Sequence, residues 1–369
     1  MPPASPGASR QPPHANNFDV LRLVAALSVI FSHSFLIAAG TQANEPLVLF
    51  TRNQCPLGLV GVFVFFVISG YLVTDSWCRA PQPNGFVLRR AARIYPGLVV
   101  NGLVCAFLLG PIVSSLPPHA YFADAGLRGF LGDYASLSPG PLGLPGVLFA
   151  DNPVGLLING SFWTLRFEVY MYLMVLALGL ARGLRLSSAV ALLALGIAAI
   201  WWDQRQSLMW LGDLRGWLWM VSHFAAGMVM YFLRGRIPFR WSYALLAVLF
   251  LVLISRVGHQ FITLFALAGG YLTIYAATTR YWPRLDYARH VGDVSYGLYI
   301  YGWPCEEFAM WLSGGRAAWW VVFAGGLALA LPLAWLSWHA VEKWPLRWVR
   351  SRRRPAIATL AVPDAATGS

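Results

Sequence analysis

The chain has 369 residues, of which 58% are hydrophobic and only 11% charged, with a mean hydropathy of +0.58. A soluble domain carries about 25% charged residues, and apolar stretches as long as these would leave large exposed patches in water, so a soluble globular enzyme is excluded. The net charge of +12, from 27 basic and 15 acidic residues, first suggests a nucleic-acid partner, but basic residues gathered in loops between apolar spans are explained by membrane topology. Cys55, Cys78, Cys105 and Cys305 show neither CxxC nor metal-ligand spacing, so no disulfide framework and no metal site is expected.

In chain order, residues 1–17 (MPPASPGASRQPPHANN) read as a disordered tail. The apolar run that follows holds Arg22 and His33 and is read as a retained membrane helix, not as a signal peptide. A helix needs about 20 residues to cross ~30 Å of hydrocarbon. Ten segments qualify: 18–39, 57–77, 94–115, 161–181, 186–203, 215–233, 239–256, 258–279, 291–312 and 317–339. An even count puts both termini on one side. Alternate inter-span segments hold Lys and Arg in a 19 to 6 split, with Arg22 and Arg166 inside spans. The richer set includes both ends of the chain, so both termini are expected in the cytoplasm. The segment 116–160, with Asp124, Asp133 and Asp151, then faces outside. The expected fold is an all-α polytopic membrane protein of about ten transmembrane helices, with a membrane domain over 18–348, a basic cytoplasmic tail over 349–369, and no internal repeat.

Charge inside a span costs at least ~2.5 to 3.5 kcal/mol at the helix centre, so each such residue calls for a partner or a function. Arg22 and His33 are eleven residues apart, three helical turns, and lie on one face about 16 Å apart along the axis. A snorkelling arginine with a hydrogen-bonded core histidine fits the same spacing. In RRAARIYP, Arg90 and Arg93 share a face at i, i+3 beside Arg89 and can converge on an anion. A topology signal or an anionic-lipid contact fits there too. In NGSFWTLRFEVYMY, Trp163 and Tyr172 fit interfacial aromatics, and Glu168 needs a cation. Arg166, two positions away, points elsewhere, which leaves Arg22, Arg90 and Arg93 as candidates. Asp75, His223, Asp293, Glu306 and Glu307 lie near expected span ends, where solvated structural positions are ordinary.

Arginines near the cytoplasmic face suit phosphates through charge-assisted hydrogen bonds, and a neutral imidazole can take a proton from a hydroxyl nucleophile during acyl transfer. No GxSxG elbow, HExxH pair or Walker loop occurs. These residues alone describe a polytopic enzyme or transporter with a polyanion-binding cytoplasmic entrance.

Six stretches add a resemblance. FDVLRLVAALSVIFSHS, GVFVFFVISGYLVT, RRAARIYP, SFWTLRFEVYMYL, GDVSYGLYIYGWP and HAVEKWPLRW, in this order from residue 18 to about 348, resemble the membrane acyltransferase-3 family. The resemblance implies a ten-helix domain in the bacterial inner membrane. It implies transfer of an acyl group, usually acetyl, from cytoplasmic acetyl-CoA as co-substrate to hydroxyls of extracytoplasmic glycans such as O-antigen, exopolysaccharide or lipid-linked saccharides. No tightly bound cofactor is implied. By position, His33 corresponds to the base or transient acyl acceptor, with Arg22 and Glu168 in the catalytic set. Arg89, Arg90, Arg93 and Trp163 correspond to the coenzyme-binding set. Ser69, Gly70 and Tyr71 form the ISGY stretch, read as a structural turn. Where many members have a histidine before the Trp-Pro pair, this chain has Gly302, which leaves more of the chemistry to His33. No SGNH-like domain follows the last motif, so the chain is expected to act alone or with a separate protein.

The rival reading from another class is a transporter or flippase of a polyanionic lipid-linked sugar. A third, a glycan-machinery scaffold with a decayed site, is opposed by the intact Arg22, His33, Arg90 and Arg93. The partners in prospect are acyl-CoA, a glycan acceptor and membrane lipids, with no nucleic acid.

Overall fold

A computed structural model of the chain describes residues 17–138, 143–146, 149–155, 157–206, 212–258, 260–279 and 291–351. The expected tails, but for Asn17 and residues 349–351, lie outside the described residues, as do Arg280, Arg284 and Arg289 of the charge count. Among the described residues every regular element is helical and there is no strand. The long helices are α1 (Phe18–Ala39), α2 (Leu57–Arg79), α3 (Pro83–Val104), α4 (Trp163–Leu180), α5 (Leu186–Gln206), α6 (Gly212–Phe232), α7 (Trp241–Val257), α8 (Phe261–Thr278), α9 (Ser295–Leu312) and α10 (Trp319–Ser337). A π-helical stretch, Cys105–Leu109, carries α3 on to Val113, and another, Trp338–Glu342, joins α10 to a last helix, Lys343–Ser351.

Each of the ten expected segments falls on one of these helices. Six of them, α1, α2, α3, α4, α8 and α10, counting the continuations of α3 and α10, are long and apolar enough to cross a membrane. The apolar parts of α5 and α7 are shorter, Leu186–Trp202 and Trp241–Val257. On α7 only Leu251 and Ser255 are buried, while Leu245, Leu246, Leu249 and Leu253 point outward, as expected of a helix whose solvent is lipid. α9 is the opposite case. Every residue from Ser295 to Glu307 is buried, so protein surrounds it and its tyrosines and carboxyls need not face hydrocarbon.

α9 packs chiefly on α10 and α1, α1 on α2, and α2 on α6. The ISGY stretch is not a turn, as expected, but lies inside α2. Gly70 is small because α6 crosses there: a Cβ on it would enter the Phe224 backbone, and a Cβ on Gly227 of α6 would enter the Val67 backbone in return. Small residues that let two backbones approach are how membrane helices gain packing energy.

One feature of α9 anchors the 116–160 segment. Pro304 has no N–H, so the Ile300 carbonyl four residues earlier loses its helical donor. Two amides replace it: Asn101 Nδ2 of α3 at 3.1 Å and Asn159 Nδ2 at 2.9 Å. The hydroxyl of Tyr134, on a short helix Ala125–Ser136, donates to Asn101 Oδ1 and accepts from Asn159 Nδ2 at 2.9 Å. Burial pushes the Tyr134 phenol well up, which keeps it a donor.

Candidate active site

The expected site residues fall into two groups along α1. The inner group surrounds the first half of α3. Arg90 lies over the Tyr172 ring of α4, 5.4 Å from its centroid, and Arg93 lies over the Tyr296 ring of α9 at 5.7 Å. Arg93 Nη2 also pairs with Asp293 Oδ2 at 2.8 Å, at the entry to α9. Arg22 pairs with Asp19 on its own helix at 3.3 Å and lies within electrostatic reach of Asp293. Glu168 accepts a hydrogen bond from Tyr172, one turn on along α4. Its expected cation partner is therefore supplied indirectly: Arg90 stacks on that same tyrosine, and Arg93 feels the carboxylate through space. Glu342, from HAVEKWP, completes the group. Its Oε1 accepts from Ser337 Oγ at 2.7 Å, and its charge reaches Arg93 and Asp293.

The group is thus not purely basic. Asp19, Glu168, Asp293 and Glu342 set four carboxylates around Arg22, Arg90 and Arg93, an arrangement in which the charges compensate one another.

The second group lies three turns further along α1. The His33 ring meets Trp303 of α9 edge-on, 4.8 Å between centroids at 76°, and His33 Nδ1 is buried with no hydrogen-bond partner among the described residues. Trp303 Nε1 donates to Leu157 O at 3.1 Å, and Gly160 lies flat against the indole. Gly302 faces Ile30, three residues before His33, and a Cβ there would stand 2.7 Å from Ile30 Cγ1. The missing histidine is therefore matched by close packing of α9 on α1. Trp163 stands at the start of α4, against Phe167 and Gly216, and the residue is 38% exposed. It is nine residues, about 13 Å of helix, from the Tyr172 that carries Arg90.

Two expectations need correction. Glu306 and Glu307, placed by sequence at a solvated span end, are wholly buried. The C-terminal half of α9 is covered by α10, where Gly326 admits the Glu306 stem, and by Asn152, whose Nδ2 donates to Glu307 Oε2 at 2.7 Å. His223 is also interior, stacked on Phe63 of α2 at 3.7 Å between centroids, with Nδ1 on Trp219 O at 2.6 Å.

Asp293, which the sequence suggests only as a structural span-end position, joins the first group, as does Glu342, and Trp303 joins the second; all three lie in the motifs quoted above. The signal available was position: Asp293 stands two residues before a helix start, and Glu342 is an acid within a predominantly apolar stretch.

A family model described as an acyltransferase domain matches residues 16–339. The chain belongs to the acyltransferase-3 family. This acyltransferase is similar over nearly its whole length to Nodulation protein 10 of Rhizobium leguminosarum bv. viciae, 28% identical over 377 residues that cover 94% of this chain and 97% of that protein. It is also similar to an O-acetyl transferase of Shigella phage Sf6, 27% identical over 348 residues, 89% of this chain and 95% of the relative. No solved structure matches the chain.

Proposed function

We propose that the protein is a ten-span O-acyltransferase of the bacterial inner membrane with both termini in the cytoplasm. It moves an acyl group, acetyl in the simplest case, from cytoplasmic acyl-CoA to a hydroxyl of an extracytoplasmic glycan or lipid-linked saccharide. The observation that supports this best is the arrangement on α1: His33, half-buried, with a buried and unpartnered Nδ1, and Arg22 of the arginine group three turns earlier on the same helix. About 16 Å of helix separates the two, a distance that an extended pantetheine arm bridges when its phosphates rest at the arginines.

In this reading the glycan hydroxyl approaches from the side of the 116–160 segment, with Trp303 as the wall between that segment and His33. The hydroxyl oxygen bonds to the thioester carbon while His33 takes its proton; the carbon–sulfur bond breaks, and the imidazolium returns the proton to the leaving thiolate. The arginines hold and orient the donor, and Glu168 acts through Tyr172 on the setting of Arg90. The name of the phage relative supports acetyl transfer to oxygen.

Purified protein in lipid, given acetyl-CoA and a glycan acceptor, is expected to release free CoA thiol in proportion to acetylated product. Binding of acetyl-CoA without thiol release would favour the flippase reading instead.

A further inference from the structure

The arginines of the inner group are not equivalent. Arg93 is fully engaged: Nη2 is on Asp293 Oδ2 at 2.8 Å, and the guanidinium lies over Tyr296 with Glu342 and Glu168 in reach. Asp293 is anchored in turn, its Oδ1 accepting from Ser295 Oγ at 2.5 Å and from Ser295 N at 3.4 Å. Beside them the Tyr296 hydroxyl donates to Ile94 O at 2.8 Å, and Gly97 leaves room for the ring. These contacts stitch the first half of α3 to the start of α9. Arg90, one turn earlier on α3, makes no ion pair among the described residues; it lies over Tyr172, and its Nε carries no hydrogen bond.

Taking the chain as a user of acyl-CoA, as proposed above, we infer that Asp293 is a positioning residue that neutralises Arg93 and fastens it to α9, leaving Arg90 as the guanidinium that binds donor phosphate. A phosphate at Arg93 would have to displace a carboxylate already bound with good geometry, whereas at Arg90 no carboxylate among the described residues competes for the guanidinium. The Arg93–Asp293 strut fixes the start of the helix that places Trp303 on His33, eight residues further on. Its loss acts on the catalytic step and not on phosphate recognition.

The test compares acetyl-CoA with acetyl-pantetheine, which has the same thioester and none of the phosphates, on the purified full chain. Arg90→Ala is expected to raise KM for acetyl-CoA about tenfold or more and to leave KM for acetyl-pantetheine within about twofold. Asp293→Asn is expected to lower kcat with both donors by the same factor, about tenfold, with the ratio of the two KM values unchanged, and Asp293→Glu to recover most of kcat. If Asp293→Asn shifts the KM ratio as Arg90→Ala does, or leaves kcat at the wild-type value, the inference is wrong. Should Asp293→Asn not purify as a folded protein, Ser295→Ala, which loosens Asp293 and keeps both charges, carries the same kcat comparison. If the wild type cleaves neither donor, the donor assignment fails, and the strut is then read without donor. Arg93→Gln, Asp293→Asn and the double variant should melt non-additively, the double no lower than the worse single; additive losses would refute the strut.

Discussion

The His33 imidazole meets the Trp303 indole in a T-shaped contact, 4.8 Å between ring centroids, and the same indole is held by Leu157 O and Gly160. Trp303 therefore links the half-buried histidine to the segment expected to face the acceptor. Trp303→Leu is predicted to lower kcat for acetyl transfer by about tenfold or more with a smaller change in KM, because the loss falls on orientation at the reacting centre. Trp303→Phe, which keeps the ring and loses the bond to Leu157, should fall between the two. Steady-state release of CoA thiol measures both.

Gly302 stands where many family members have histidine, and its place against Ile30 makes the substitution a matter of packing. Gly302→His is predicted to destabilise the protein by about 1–3 kcal/mol through overpacking, not to add a second base. A thermal melt in detergent should show the loss, and pairing the change with Ile30→Ala should restore part of it. A Gly302→His protein of wild-type stability and higher activity would contradict this account.

Asn101 and Asn159 both serve the carbonyl that Pro304 leaves without a helical donor. Either alone can satisfy one lone pair, so each single alanine variant is predicted to cost about 1 kcal/mol and the double variant more than the sum, as a buried carbonyl then goes unpaired. Chemical denaturation in mixed micelles, read by tryptophan fluorescence, tests the non-additivity.

Glu306 and Glu307 are neighbours with different burdens. Asn152 Nδ2 donates both to Glu307 Oε2 and to Glu307 O, so Glu307→Ala removes one of two acceptors of a buried amide and should destabilise by about 1 kcal/mol. Glu306 has no hydrogen-bond partner among the described residues, and Glu306→Leu is predicted to be neutral or stabilising by melting temperature. Loss of activity by Glu306→Leu at full stability would instead make Glu306 part of the acyl-transfer path.

The helices were legible because bilayer thickness sets a length and hydropathy marks it, so each of the ten expected segments falls on a long helix, although α3 starts at Pro83 where its segment was expected from 94. The interior was harder to read. α9 carries Tyr296, Tyr299 and two glutamates and still lies at the centre, because a helix enclosed by protein escapes the apolarity rule on which span counting rests. Arg22, His33 and Glu168 stand out in the sequence as ionisable residues in apolar runs, and Arg90 as part of the basic cluster RRAARIYP. Asp293 did not, since only the approach of α3 to α9 turns a residue just before a helix into the partner of Arg93. The reading of ISGY as a turn failed because Gly70 answers to a neighbouring helix, and sequence spacing does not show which helix that is.

The central claim is that His33 carries the chemistry of acyl transfer to a surface glycan. The most direct measurement is mass spectrometry of surface glycans from cells that express the wild type or His33→Ala, with both proteins verified as inserted in the membrane at equal levels. The account predicts acyl-modified sugar with the wild type and none with His33→Ala, together with acyl-CoA binding that the substitution leaves intact. Undiminished glycan acylation by His33→Ala would contradict it.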